Sequence, residues 1–153
     1  MLFRSVAQLI QGGLNTRVYY VAFGGFDTHA NEETTHARLL TEFAEAVSAF
    51  HKDLDARGQA GRVLTMSFSE FGRRVAQNAS GGTDHGTAAP MFVIGGKTKP
   101  GLYGTHPSLT DLDRGDLKFS TDFRNVYATV IENWLSAKSE LILGRQFEKL
   151  KFV

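Results

Sequence analysis

The sequence predicts an α/β fold built on a mainly parallel sheet. Two observations carry that expectation. Near-continuous apolar, β-branched and aromatic runs at residues 17–23, 62–68 and 91–94 have the character of strands buried on both faces. Stretches of helical periodicity lie between and after them, giving the strand–helix–strand alternation of right-handed crossovers.

The elements follow in order. Leu2, Phe3, Val6, Leu9 and Ile10 recur at helical spacing until Gly12-Gly13 ends the pattern. Arg-Val-Tyr-Tyr-Val-Ala-Phe at 17–23 is the first strand, broken by Gly24-Gly25. His36, Leu40, Phe43, Val47, Phe50 and Leu54 then line one face of a long amphipathic helix over residues 33–57. Gly58 is its natural stop. Residues 62–68 form a second strand, and 91–94 a short third closed by Gly95-Gly96. Gly, Pro and Asp punctuation predicts a long loop at 101–117. Phe123, Val126, Tyr127, Val130, Ile131 and Trp134 mark another helix, and 138–150 is weakly helical. Such a sheet has only about three or four strands, small for a doubly wound fold.

The chain has 153 residues, one domain's worth and enough for a real core. Hydrophobic residues make up 42% and charged residues 22%, which argues against wholesale disorder. Seventeen basic residues against sixteen acidic ones leave a net charge of +1, so no charge excess points to nucleic acid or an anionic membrane. Cysteine is absent, which removes disulfides, thiolate metal sites and cysteine nucleophiles together. No apolar run approaches the ~18 residues of a membrane span. Residues 1–14, with Arg4 and Gln8 and no small-residue cleavage pattern, do not read as a signal peptide.

Polar clusters flank the predicted strands. Phe26-Asp27-Thr28-His29 follows the first and Ser69-Glu70-Phe71-Gly72-Arg73 the second; Gly82-Thr83-Asp84-His85-Gly86 precedes the third. Ligands bind beyond the carboxyl ends of strands in open α/β sheets, so the first two clusters share an edge. The third reaches it through its loop. Together they offer the carboxylates of Asp27, Glu70 and Asp84 and the imidazoles of His29 and His85. Without thiolates, that oxygen-and-nitrogen set suits Zn, Mn, Fe or Mg. Such a metal polarises an ester oxygen and lowers the pKa of bound water. Arg73 is placed to clamp an anionic substrate oxygen.

Structural roles compete with each of these. Asp27 and Asp84 also suit turns, Ser69-Glu70 suits a helix cap, and Arg73-Arg74 suits a solvated helix face. His36 tops an apolar stripe, His51 belongs on the surface, and His106 sits ambiguously in the long loop. The chain lacks the phosphate-loop, dinucleotide, nucleophile-elbow and His-Glu-x-x-His motifs. No basic patch interleaved with aromatics supports nucleic-acid binding.

Gly-Gly-Phe-Asp-Thr-His (24–29), Ser-Glu-Phe-Gly-Arg-Arg (69–74), Gly-Thr-Asp-His-Gly (82–86) and Thr-Asp-Phe-Arg-Asn-Val-Tyr (121–127) resemble, in order, the bacterial family catalogued as domain of unknown function 1501. That family is grouped with the alkaline-phosphatase-like superfamily of phosphatases, sulfatases and cofactor-independent phosphoglycerate mutases. The resemblance implies a three-layer α/β/α domain with divalent metals, zinc first and manganese or iron as alternatives, at the carboxyl ends of a parallel sheet.

By position, Asp27 and His29 resemble the Asp-and-His pair that binds one metal. Asp84-His85 resembles the superfamily's Asp-His dipeptide, but His85 ahead of Pro90 resembles better the later metal-binding His. On that placement Glu70 replaces a ligand and Asp84 is additional, both on or near a second metal. Relatives carry the Ser/Thr nucleophile in an N-terminal half that nothing here matches. The chain therefore resembles the C-terminal part of the domain, which also accounts for the small sheet. The implied activity is metal-dependent hydrolysis of a small or polymer-linked phosphate or sulfate ester, by relatives that are exported when full-length. Two rivals stand beside it. One is a non-catalytic metal-binding or interaction module with a vestigial site. The other is a metal-free hydrolase using Ser69 with His85 and Asp84. An incomplete sheet edge also invites pairing with a second copy.

Overall fold

The computed structural model describes residues 2–153. Helix α1 (Leu2–Gln11) and the long helix α2 (Glu32–Ala56) pack together and meet in a core of Ala7, Ile10, Phe50 and Leu54, all buried. The short strands β1 (Leu64–Met66), β2 (Gly72–Gln77), β3 (Thr83–Gly86) and β4 (Val93–Gly95) follow. A small hairpin, β5 (Leu112–Asp113) and β6 (Asp116–Leu117), interrupts the predicted loop. Its turn residues Arg114 (φ 52°) and Gly115 (φ 88°) have the paired left-handed geometry that two-residue hairpins need. Helix α3 (Phe123–Thr129) runs on as a π-helical turn over Val130–Trp134, and α4 (Ser139–Leu143) lies near the C-terminus.

The architecture is mixed helix and strand, as expected, but every strand pairing among the described residues is antiparallel: β1 with β4, β2 with β3, and β5 with β6. For β2–β3 and β5–β6 the reason is connection length. A tight turn closed by the Asn78 amide on the Gly82 carbonyl (2.8 Å) joins β2 to β3. A parallel pair needs a crossover of a dozen or more residues. The β2–β3 hairpin then returns the chain so that β4 runs back beside β1. Residues 69–74, which also suit a helix start, lead instead into β2.

Side chains alternate across β1. Val63 packs toward the α1–α2 core, and Thr65 accepts or donates to His51 of α2 at 3.0 Å. Leu64, Met66 and Val93 face the second core, Val126, Val130 and Phe152. The β1–β4 ladder thus has helices on both faces. His51, expected on the surface, is half-buried by this packing. The buried Thr129 hydroxyl donates to the Asn125 carbonyl and accepts from the Leu150 amide, docking the C-terminal segment on α3.

Residues 17–23 differ most from expectation. They form no regular element, and no ladder partner pairs with them among the described residues. Tyr19 packs on the first core while Val18 and Tyr20 stay exposed. The local pattern favours a strand, but a ladder also needs a neighbour to accept it. Among the described residues, no helix is long and apolar enough to cross a membrane.

Candidate metal centre

Two segments build the site. Residues 26–29 lie outside any regular element and carry Asp27 and His29, with the Thr28 amide turning back onto the Phe26 carbonyl at 2.9 Å. An isolated bridge between Ala30 and Gly81, with Asn31 and Glu32 amides donating to the Ser80 and Gly81 carbonyls, lays this segment against the β2–β3 turn. Strand β3 carries Asp84 and His85, with His85 opposite Arg73 of β2.

Asp27, His29 and His85 converge there. His85 Nε2 lies 2.7 Å from Asp27 Oδ1, His29 Nε2 lies 3.0 Å from the same oxygen, and the two Nε2 atoms are 3.1 Å apart. With Asp27 ionised, protons cannot satisfy this triangle. With an N–H on each Nε2, both bonds to Asp27 form but the two donors confront each other; with one N–H, a bare nitrogen faces the carboxylate. A cation satisfies all three contacts at once. Zn–ligand bonds of about 2.0–2.1 Å at tetrahedral angles set donor atoms roughly 3.3 Å apart, so an outward shift of a few tenths of an ångström suffices. The donor set therefore fits a divalent metal. All three residues are exposed, leaving room for further ligands.

Neighbouring groups flank the donors. The Phe71 ring stacks on His85 at 3.7 Å with 7° between planes. Asp84 Oδ1 lies 3.7 Å from His29 Nδ1, beside the ring nitrogen that points away from the cluster. The hydrogen bond from His85 holds the Asp27 carboxyl below its ordinary range, so it is an anion at neutral pH.

The other expected site residues are placed differently. Glu70 is exposed and is not one of the clustered donors. The Ser69 hydroxyl donates to the Phe71 carbonyl at 2.7 Å, and no hydrogen bond joins it to His85 among the described residues. Arg73 is largely buried and donates to the Thr83 and Phe26 carbonyls. His106 bonds the neighbouring Pro107 carbonyl, outside the cluster. Sequence analysis missed Phe71, Glu32 and Asn78. Phe71 lies inside the Ser69–Arg73 motif, between Glu70 and Gly72, and an apolar ring carries no ligand chemistry of its own. Nothing local to Asn78 marks its role, since its partners lie on another segment.

Glu32 joins this network from the start of α2. Its side chain is 14% exposed, with Thr83 Oγ1 donating at 2.7 Å and Arg73 Nε at 3.7 Å. Burial alone would push its carboxyl up, but the Thr83 hydroxyl and the Arg73 charge outweigh it and the carboxyl titrates below its ordinary value. A depressed carboxyl contributes stability that is complete above the unfolded value, about 4.3, and is lost as pH falls through the folded one. Burial also depresses His51. The unfolded chain then takes up that proton first, so stability begins to fall below about pH 6.5. Urea midpoints across pH are expected to show two windows of loss. Glu32→Gln should shrink the acidic one and His51→Asn the milder one; identical profiles for all three proteins would refute both assignments.

The family described as "Protein of unknown function (DUF1501)" matches residues 8–147 of the chain. Neither a curated protein nor a solved structure matches it.

Proposed function

We propose that this chain, which belongs to the DUF1501 family, binds one divalent metal through Asp27, His29 and His85 and contributes that metal to the hydrolysis of phosphate or sulfate esters. The observation that carries the proposal is the triangle of Asp27 Oδ1, His29 Nε2 and His85 Nε2, with edges of 2.7, 3.0 and 3.1 Å. Two imidazoles and a carboxylate are a zinc donor set with an open position, and also suit iron(II) or manganese. A cation held there supplies Lewis acidity toward an ester oxygen. Asp27 brings the negative charge, Asp84 adds a second carboxylate 3.7 Å from His29 Nδ1, and Phe71 stacks on the His85 ring. The exposed side of the cluster is where a small or polymer-linked anionic ester approaches.

The same reading makes the chain the C-terminal portion of an alkaline-phosphatase-like α/β/α domain. Helices on both faces of β1–β4, and the unpaired strand-like sequence of residues 17–23, support it. The nucleophile then belongs to the N-terminal part of such a domain. A second reading, a metal-binding module without turnover, is favoured by one observation: the Ser69 hydroxyl is committed to the Phe71 carbonyl.

The test is metal content of the purified, untagged chain by mass spectrometry, after exposure to zinc, manganese or iron(II). About one equivalent of one metal is expected for a three-donor site. No metal above a buffer control would overturn the proposal. Nitrophenyl phosphate and sulfate, offered to the loaded chain and to a longer family member, then separate the two readings. Turnover by the longer protein supports the hydrolase, and metal without turnover by either supports the module.

A further inference from the structure

The donors of the proposed centre come from two segments, residues 26–29 and 82–85, joined directly through the Ala30–Gly81 bridge and its two flanking backbone bonds. Strand β2 ties them together at both ends. At its start, Arg73 Nη1 donates to the Thr83 carbonyl at 2.5 Å and Nη2 to the Phe26 carbonyl at 2.6 Å. Those carbonyls immediately precede Asp84 and Asp27. Just beyond its end, Asn78 Nδ2 donates to the His29 carbonyl at 3.0 Å and lies 3.5 Å from Asp84 Oδ1. Asn78 Oδ1 accepts from the Ser80 and Gly82 amides, which fixes the turn leading into β3.

We propose that Arg73 and Asn78 are positioning residues of the metal centre, clamping its two donor-bearing segments in register. The proposal rests on Asp27, His29 and His85 being a metal site. Arg73 suits the task chemically. Its planar fork reaches two carbonyls in different directions, and its charge is balanced by Glu32 at 3.7 Å. It is spent inside the scaffold: its side chain is only 17% exposed, so it braces the centre rather than clamping a substrate anion. Lysine keeps the charge but not the fork.

Cobalt(II) titration followed by its visible absorption tests this, because the band reports ligand geometry without any turnover. Arg73→Lys and Asn78→Ala are each expected to weaken cobalt binding about 10–100-fold, the usual range for outer-shell changes. Both should distort the band while the far-ultraviolet circular dichroism stays that of the parent. Arg73→Lys should also move the Asp27 and Asp84 amide resonances of the metal-free protein together, since each follows a carbonyl that loses its donor. Variants that match the parent in affinity, band and amide shifts would overturn the proposal alone. A parent chain that shows no cobalt band at all would overturn the metal centre itself, and the positioning role with it.

Discussion

Asp27→Ala and His85→Ala are each expected to remove measurable metal binding, a loss of at least about 100-fold, because outer-shell changes alone reach that range and these remove a donor outright. The two residues are 58 apart in sequence and 2.7 Å apart in the site. That separation is what makes the pair informative. Two unrelated surface residues would give independent, additive effects, whereas donors to one cation fail together. The double variant should therefore bind no worse than either single one. His29→Ala should behave alike, for its Nε2 completes the triangle. Glu70→Ala and His106→Ala are the controls. Both side chains lie outside the cluster, and both variants should bind like the parent. Isothermal titration with zinc, run with differential scanning fluorimetry, checks all of this. A His85→Ala chain that retains parental affinity would end the assignment.

Much of that site was legible before any geometry. Asp27, His29 and His85 are ligand-type side chains next to strand-like runs, and chemistry of that kind is written in residue identity. The long helix was equally legible, expected over 33–57 and found over Glu32–Ala56, because apolar periodicity sustained for about five turns has few competing explanations. One position of its stripe differs: Leu39 is buried and Leu40 is 45% exposed, while His36 and Phe43 lie on the partly buried face. What the sequence could not convey was pairing. Residues 17–23 have the composition of a two-face-buried strand, yet a ladder is a property of two segments, and the second cannot be read from the first. The same limit hid the antiparallel β2–β3 hairpin and the contacts of Arg73 and Asn78. An arginine beside a candidate metal site invites a substrate role. Only its partners, two backbone carbonyls and Glu32, indicate a scaffold role.

Gly82→Ala is expected to destabilise the fold by about 2–3 kcal/mol and to take the metal site with it, at the upper part of the usual range for overpacking. A methyl group there would stand 2.4 Å from the His29 carbonyl carbon, 2.6 Å from its oxygen and 2.8 Å from the Ala30 nitrogen. All three are backbone atoms, so no side-chain rotation relieves the clash. The segment carrying His29 must move away from the turn that leads into β3. The bonds that lay the two segments together, from Asn31 and Glu32 amides to the Ser80 and Gly81 carbonyls, are the ones such a movement breaks. Gly61→Ala is the matched control, since nothing lies within 4 Å of a methyl group there. It should change stability by no more than about 0.5 kcal/mol. Urea unfolding of both variants, with zinc titration of whichever remains folded, separates packing from ligation. If Gly82→Ala is as stable as Gly61→Ala and binds zinc normally, the two donor segments are not in the close contact that brings Asp27 and His29 onto His85. If it is destabilised but still binds zinc at parental affinity, the donors meet by some other path than the Ala30–Gly81 bridge.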